Sequence, residues 1–181
     1  MKLAFWLIVF AWWIMDFYVL VLKRNEYHKV LDKKSKFIMT VLISLGVILA
    51  ISPESFRNTW RSREFGFYQI LGTIVLCFGV ILRFIAILTL GKNFSADIVV
   101  AKERKLVYKG IYRYIRHPSY TGEIISFLGL AIVFQHVPSS IFIFVFPAIA
   151  FVHRALVEEK KLMEEFGEEY LNYRRRTRMF I

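Results

Sequence analysis

The chain has 181 residues, 57% hydrophobic and 17% aromatic, with a formal net charge of +11 and a mean hydropathy of +0.49. Soluble domains are about 45–50% apolar, so the composition excludes an ordinary soluble domain, and the length suits one domain of a few membrane spans with no second folded unit. The positive charge would suit nucleic acid or an anionic surface; between apolar runs it reads instead as a topology signal, with no nucleic-acid partner.

The first apolar run, residues 3–22, has about the twenty residues needed to cross about 30 Å of hydrocarbon. It starts where a signal peptide would. With one basic residue ahead, no small-residue cleavage site and a basic segment behind, it reads as a retained helix. A shorter run, 37–51, ends near Pro53, and Phe67–Leu90 is long, interrupted only by Gln69 and Arg83. Cys77 lies inside it and reads as a small core residue. After a polar stretch come 123–137 and 139–157, with Pro138 at the turn, each short enough that a helical hairpin or a shallow re-entrant pair fits. The expectation is an all-α membrane protein of about five transmembrane helices, a cytoplasmic pocket and an amphipathic C-terminal helix. Residues 1–64 would hold two spans. Residues 65–181 would hold the third span, a polar loop, the hairpin and the tail.

Basic residues test this layout. Nineteen lie in the loops after the first and third spans and in the tail, against Lys2, Arg57, Arg61 and Arg63 on the alternate side. This bias places the N-terminus outside and the C-terminus in the cytoplasm. The tail has apolar residues at Leu162, Met163, Phe166, Tyr170, Leu171 and Tyr173, one stripe suited to a surface-lying helix. There is no Gly-rich phosphate loop, CxxC pair or HExxH, and no metal is called for.

The chemistry-bearing stretch is "GIYRYIRHPSYTGEI", residues 110–124. Pro118 displaces His117 from helical geometry and suits a helix start, leaving N–H groups near His117 and Ser119 for an anionic or polar group. Gly110 and Gly122 allow close backbone approach, and Tyr112, Tyr114 and Tyr120 offer aromatic faces. A flat base, a carboxylate and a positive centre would suit this set. A second cluster, His153, Arg154, Glu158 and Glu159, ends the fifth span. Arg154 and Glu158 stand one helical turn apart and would pair if nothing else engaged them. Charges this near hydrocarbon are expensive and mark a functional site. Asp16 and Arg83 read as substrate-route residues or as a snorkelling or paired set, and His28 and His136 as surface residues.

"LVYKGIYRYIRHPSYTG", followed by "RALVEEKKLMEEFGEEYLNY", resembles the isoprenylcysteine carboxyl methyltransferases and their prokaryotic relatives, in a wider group with the phospholipid N-methyltransferases. The resemblance covers residues 91–173 and includes "GKNFSADIVV". It implies S-adenosylmethionine held by Arg104, Lys105, Leu106, Val107, Gly110, Tyr112, His117, Pro118, Ser119, Tyr120, Glu158 and Glu159. Arg154 would be the catalytic residue that orients the acceptor. Arg104 and Lys105 stand where eukaryotic members tend to have His and Thr. The implied acceptor is a lipid-embedded prenylcysteine carboxylate, with a phospholipid amine as an alternative. The implied site is the cytoplasmic side of a cell membrane or, in a eukaryote, the endoplasmic reticulum. A nicotinamide-dependent membrane reductase and a non-catalytic lipid-binding protein are the competing classes.

Overall fold

The computed structural model describes residues 2–21, 29–30, 32–51, 66–91, 99–100 and 106–181. Its helices are α1 (Lys2–Val21), α2 (Lys33–Ala50), α3 (Phe67–Leu90), α4 (Pro118–Val133), α5 (Val137–Phe166) and α6 (Glu168–Arg176), with a 3-10 turn at Gly110–Arg113. Among the described residues, strand pairing is limited to a two-residue antiparallel pairing of β1 (Lys29–Val30) with β2 (Val99–Val100) and a single parallel bridge between Ile115 and Arg178.

Helices α1, α3 and α5 are long and apolar enough to cross a membrane, while α4 is a shorter apolar helix of 16 residues. Leu3, Trp6, Leu7, Phe10 and Trp13 on α1 and Ile74, Phe78, Ile81 and Phe84 on α3 are exposed. Apolar faces this extensive are stable against lipid rather than water. The chain is an integral membrane protein.

The core joins Phe5 and Trp12 of α1, Leu76 of α3, Phe127 and Val133 of α4, and Ile143 and Phe151 of α5. Helices α3 and α4 approach by backbone contact. A Cβ at Gly72 would stand 2.7 Å from the Gly129 carbonyl, and one at Gly79 would stand 2.6 Å from the Gly122 carbonyl. Each helix thus presents two glycines seven residues apart, the small-residue seam that lets membrane helices close without a side-chain layer. Helix α2 meets α5 similarly, with Gly46 facing the Phe142 carbonyl and Phe146.

Helices α4 and α5 run antiparallel. The Ser140 hydroxyl donates to the Ala131 carbonyl at 2.7 Å near their link, and Tyr120 reaches Glu158 at the far end. His136, expected at the surface, is half-buried and hydrogen-bonded at Nδ1 to the buried Ser139 hydroxyl (2.8 Å), just before α5. His28 lies outside the described residues.

The tail departs from expectation. Helix α5 runs on through Phe166, since "EEKKLMEEF" contains strong helix formers and no breaker. It stops at Gly167, whose φ of 52° glycine adopts freely. Only Glu168–Arg176 forms a separate helix. The chain then folds back, with the Arg178 carbonyl accepting from Arg116 N (2.8 Å) and the Met179 carbonyl from His117 N (3.2 Å). The expected free N–H at His117 is therefore taken by the tail.

Candidate active site

The site forms where the start of α4 meets the polar half of α5. Pro118 occupies the first turn of α4 and is buried, which fixes His117 just ahead of the helix. The His117 ring is 5% exposed and stacks on Tyr120, centroids 5.6 Å apart and planes 11° apart, with Phe180 at 6.2 Å. The Tyr120 hydroxyl donates to Glu158 Oε2 at 2.9 Å, and His117 Nδ1 lies 3.9 Å from the same oxygen. His117 Nε2 faces Glu159 Oε1 at 3.4 Å.

Glu159 is held mainly by Arg116, whose Nε donates to it at 2.6 Å, with Arg174 Nε at 3.6 Å. Arg116 also donates through Nη1 to the Thr177 carbonyl and, at 3.2 Å, to the Arg174 carbonyl, tying α5 to the tail. Tyr173 donates to the Tyr112 carbonyl at 2.6 Å. Burial, with the Glu158 charge nearby, pushes the Tyr112 hydroxyl well above its ordinary value, so it stays a neutral donor.

These groups line a half-open cavity of about 70 Å³ bounded by Leu90, Leu106, Val107, Tyr112, Glu158 and Leu162, with Arg116, His117, Tyr170 and Tyr173 on its polar side. His117 Nε2 and the Tyr170 hydroxyl are buried and make no hydrogen bond of full geometry, and both face the Glu159 carboxylate, which stands 3.4 Å from His117 Nε2. Buried polar atoms are costly when weakly paired, and these two border the cavity.

Arg154 is 1% exposed. It donates through Nη1 to the Ser35 hydroxyl and lies 3.4 Å from Asp32 Oδ2, both at the start of α2, and it meets the Tyr120 hydroxyl. Its engagement with α2 adds a partner that the one-turn spacing to Glu158 did not suggest. Asp32 caps α2 by accepting from Ser35 N at 3.1 Å. Burial opposes its ionisation, but the hydrogen bonds from Ser35 and the Arg154 charge hold its carboxyl below the usual value.

Of the residues singled out in the sequence, Leu106, Val107, Tyr112, His117 and Glu158 line the cavity, and Tyr120 bridges it to Arg154. Gly110 has a φ of 58° and packs on Thr89 behind it. Ser119 turns away, 3.2 Å from Arg83 Nη1. Arg104 and Lys105 lie outside the described residues. Arg116, Asp32 and Ser35 were not singled out, and Tyr170 and Tyr173 were read only as part of the tail's apolar stripe. The "FGEEY" segment and the Asp-x-x-Ser helix start were the available signals for three of them.

Arg83 belongs to a separate cluster. Its Nε reaches Asp16 Oδ1 at 2.8 Å and Glu123 Oε1 at 2.5 Å, and Trp12 Nε1 donates to Glu123 at 3.3 Å. Asp16 and Arg83 are thus a paired set across α1, α3 and α4.

Fold and site define a helical membrane protein with a polar, partly enclosed pocket at one end of its bundle. Residues 71–164 match the model of the isoprenylcysteine carboxyl methyltransferase family, and the chain belongs to that family. It is 36% identical over 123 residues to protein-S-isoprenylcysteine O-methyltransferase B of Arabidopsis thaliana, covering 67% of this chain and 59% of that protein. It is 36% identical over 116 residues to the protein-S-isoprenylcysteine O-methyltransferase of Schizosaccharomyces pombe, covering 62% of this chain and 49% of the relative. The chain therefore spans about half the length of these relatives. A solved structure of a eukaryotic intramembrane Ras methyltransferase shares the fold, with a TM-score of 0.60 at 22% identity, over 83% of this chain and 53% of that one.

Proposed function

We propose that the chain transfers a methyl group from S-adenosylmethionine to the carboxylate of an isoprenylated cysteine. The observation that carries this reading is the cavity on which the Glu158 carboxylate, His117 Nε2 and the Tyr170 hydroxyl converge, the last two held only loosely by Glu159. S-adenosylmethionine combines a carboxylate, an ammonium, a flat base and a sulfonium. The donors suit its carboxylate, Glu158 suits its ammonium, and Tyr112 with Leu106 and Val107 gives faces for the flat portion. His117 acts as donor through Nε2 in this arrangement. When bound, the cofactor supplies an electrophilic methyl group.

The acceptor carboxylate is ionised near neutral pH and needs no general base. The chain's task is therefore to orient it and exclude water. Arg154 can hold it in two parallel hydrogen bonds, which a lysine cannot. Tyr120, in contact with both Glu158 and Arg154, couples the two halves of the site. The acceptor's prenyl chain would enter from the bilayer between apolar helix faces. The positive-inside bias supports five passes with the last two as a hairpin, the N-terminus outside and the pocket in the cytoplasm.

The test is transfer of labelled methyl from S-adenosylmethionine to S-prenylated cysteine analogues, with phospholipid extracts in parallel. Labelling of the prenylcysteine carboxylate is the expected result. Labelling of lipid amines alone, or binding of a nicotinamide cofactor instead, would overturn it.

A further inference from the structure

Elsewhere in the molecule, the mid-bundle ion cluster is closed on itself, and nothing shows what fills the apolar hollow near His136 or the groove between α6 and Tyr108. The start of α2 carries more.

The geometry points to Asp32 and Ser35 as positioning residues for Arg154, an assignment that rests on the function proposed above. Both lie outside residues 71–164, the part that the family model matches. Ser35 is 2% exposed, so its hydroxyl is withdrawn from water and directed at the guanidinium. Asp32 performs two tasks with its two oxygens. Oδ1 caps α2 through Ser35 N at 3.1 Å, and Oδ2 lies 3.4 Å from Arg154 Nη1. The capping bond fixes the Asp32 rotamer, the first helical turn fixes Ser35, and together they hold one corner of the guanidinium plane.

An arginine side chain has four rotatable torsions and loses much entropy when a substrate must order it. Holding one nitrogen from α2 removes that cost before the acceptor arrives and sets the plane that meets the carboxylate. The N-terminal third of the chain thereby contributes to the site as well as to membrane anchoring.

The test uses the full chain in detergent or vesicles, with S-adenosylmethionine and a prenylcysteine analogue. Asp32→Asn keeps the cap, because asparagine caps as well as aspartate, and removes the charge facing Arg154. Ser35→Ala removes the hydroxyl, and Ser35→Thr restores it. The expected result for Asp32→Asn and Ser35→Ala is a kcat about ten- to a hundredfold lower. Cofactor Kd, acceptor KM and thermal midpoint should stay nearly unchanged, and Ser35→Thr should recover most of the rate. If Asp32→Asn destabilises the protein, the Ser35 pair carries the test alone. Full rates in Asp32→Asn and Ser35→Ala, with Arg154→Lys slow, would reduce the α2 contacts to packing. A lower KM without loss of kcat in Asp32→Asn would make Asp32 a competitor of the acceptor and overturn the assignment. A full rate in Arg154→Lys would sink the proposed role of Arg154 itself, which is a different failure.

Discussion

Two ionic groups share α4, less than one turn apart, and they are built on opposite terms. Ser119 and Glu123 face α3 and α1, where Arg83, Asp16 and Trp12 complete a set with mutual partners at 2.5 to 3.3 Å. His117 and Tyr120 face α5, where Glu158 and Glu159 meet them beside a cavity and hold His117 Nε2 and the Tyr170 hydroxyl only loosely. A closed set inside hydrocarbon gives specificity of assembly, since each charge is stable only when all three helices are in place. An open set leaves binding energy for a ligand. Burial of charge alone does not separate the two; the completeness of hydrogen bonding does.

The largest effect that would break this contrast is expected at Arg83. Arg83→Met strands Asp16 and Glu123 in the bundle and should cost about 3–5 kcal/mol. The reading is a much lower thermal midpoint in detergent; an unchanged midpoint would move the cluster into the functional class. Glu158→Ala should do the reverse. Loss of a charge-assisted hydrogen bond of about 1.5–3 kcal/mol weakens S-adenosylmethionine binding about ten- to a hundredfold, with the midpoint kept. Calorimetry on the folded variant decides whether Glu158 binds ligand or only braces Tyr120.

Gly79→Ala probes the scaffold beneath both groups. The added methyl meets the α4 backbone at 2.5–2.6 Å and should destabilise by about 1–3 kcal/mol, as overpacking does. Cofactor affinity per folded molecule should hold. The smallest effect is expected for Tyr170→Phe. Removing a buried hydroxyl that Glu159 holds only loosely should change stability little, while cofactor affinity falls by about 0.5–1.5 kcal/mol. Unaltered affinity would mean that this hydroxyl faces no ligand.

The membrane class, three of the long helices and the His117, Tyr120 and Glu158 set were legible because each is written locally, in apolar length or in a compact motif. The partners of Arg154 and Arg83 were not. Ser35 lies 119 residues from Arg154 and Asp16 lies 67 from Arg83, and no periodicity reports which helices become neighbours. Spacing instead suggested Glu158 for Arg154, since local geometry was all that spacing could weigh. Glu123 read as the edge of a span, whereas it is the buried partner of Arg83. The tail misled for a related reason: its apolar stripe suggested a separate surface helix, but helix formers carried α5 unbroken to Gly167. The paired glycines of α3 and α4 were visible individually. Their meaning required knowing that the two helices lie antiparallel, Gly72 against Gly129 and Gly79 against Gly122.

That glycine seam also determines which motions the protein can use. Seven residues of helix rise about 10 Å, so an axial slip of α3 past α4 by any smaller step would drive a Cβ-bearing residue into the facing main chain. Shear, one of the two common ways packed helices accommodate a ligand, is closed to this pair. The face of α4 that carries His117 and Tyr120 is a fixed wall of the pocket. The opposite side of the pocket, made by Leu106, Val107, Tyr112, the polar half of α5 and the tail, has no such seam among the described residues to lock it.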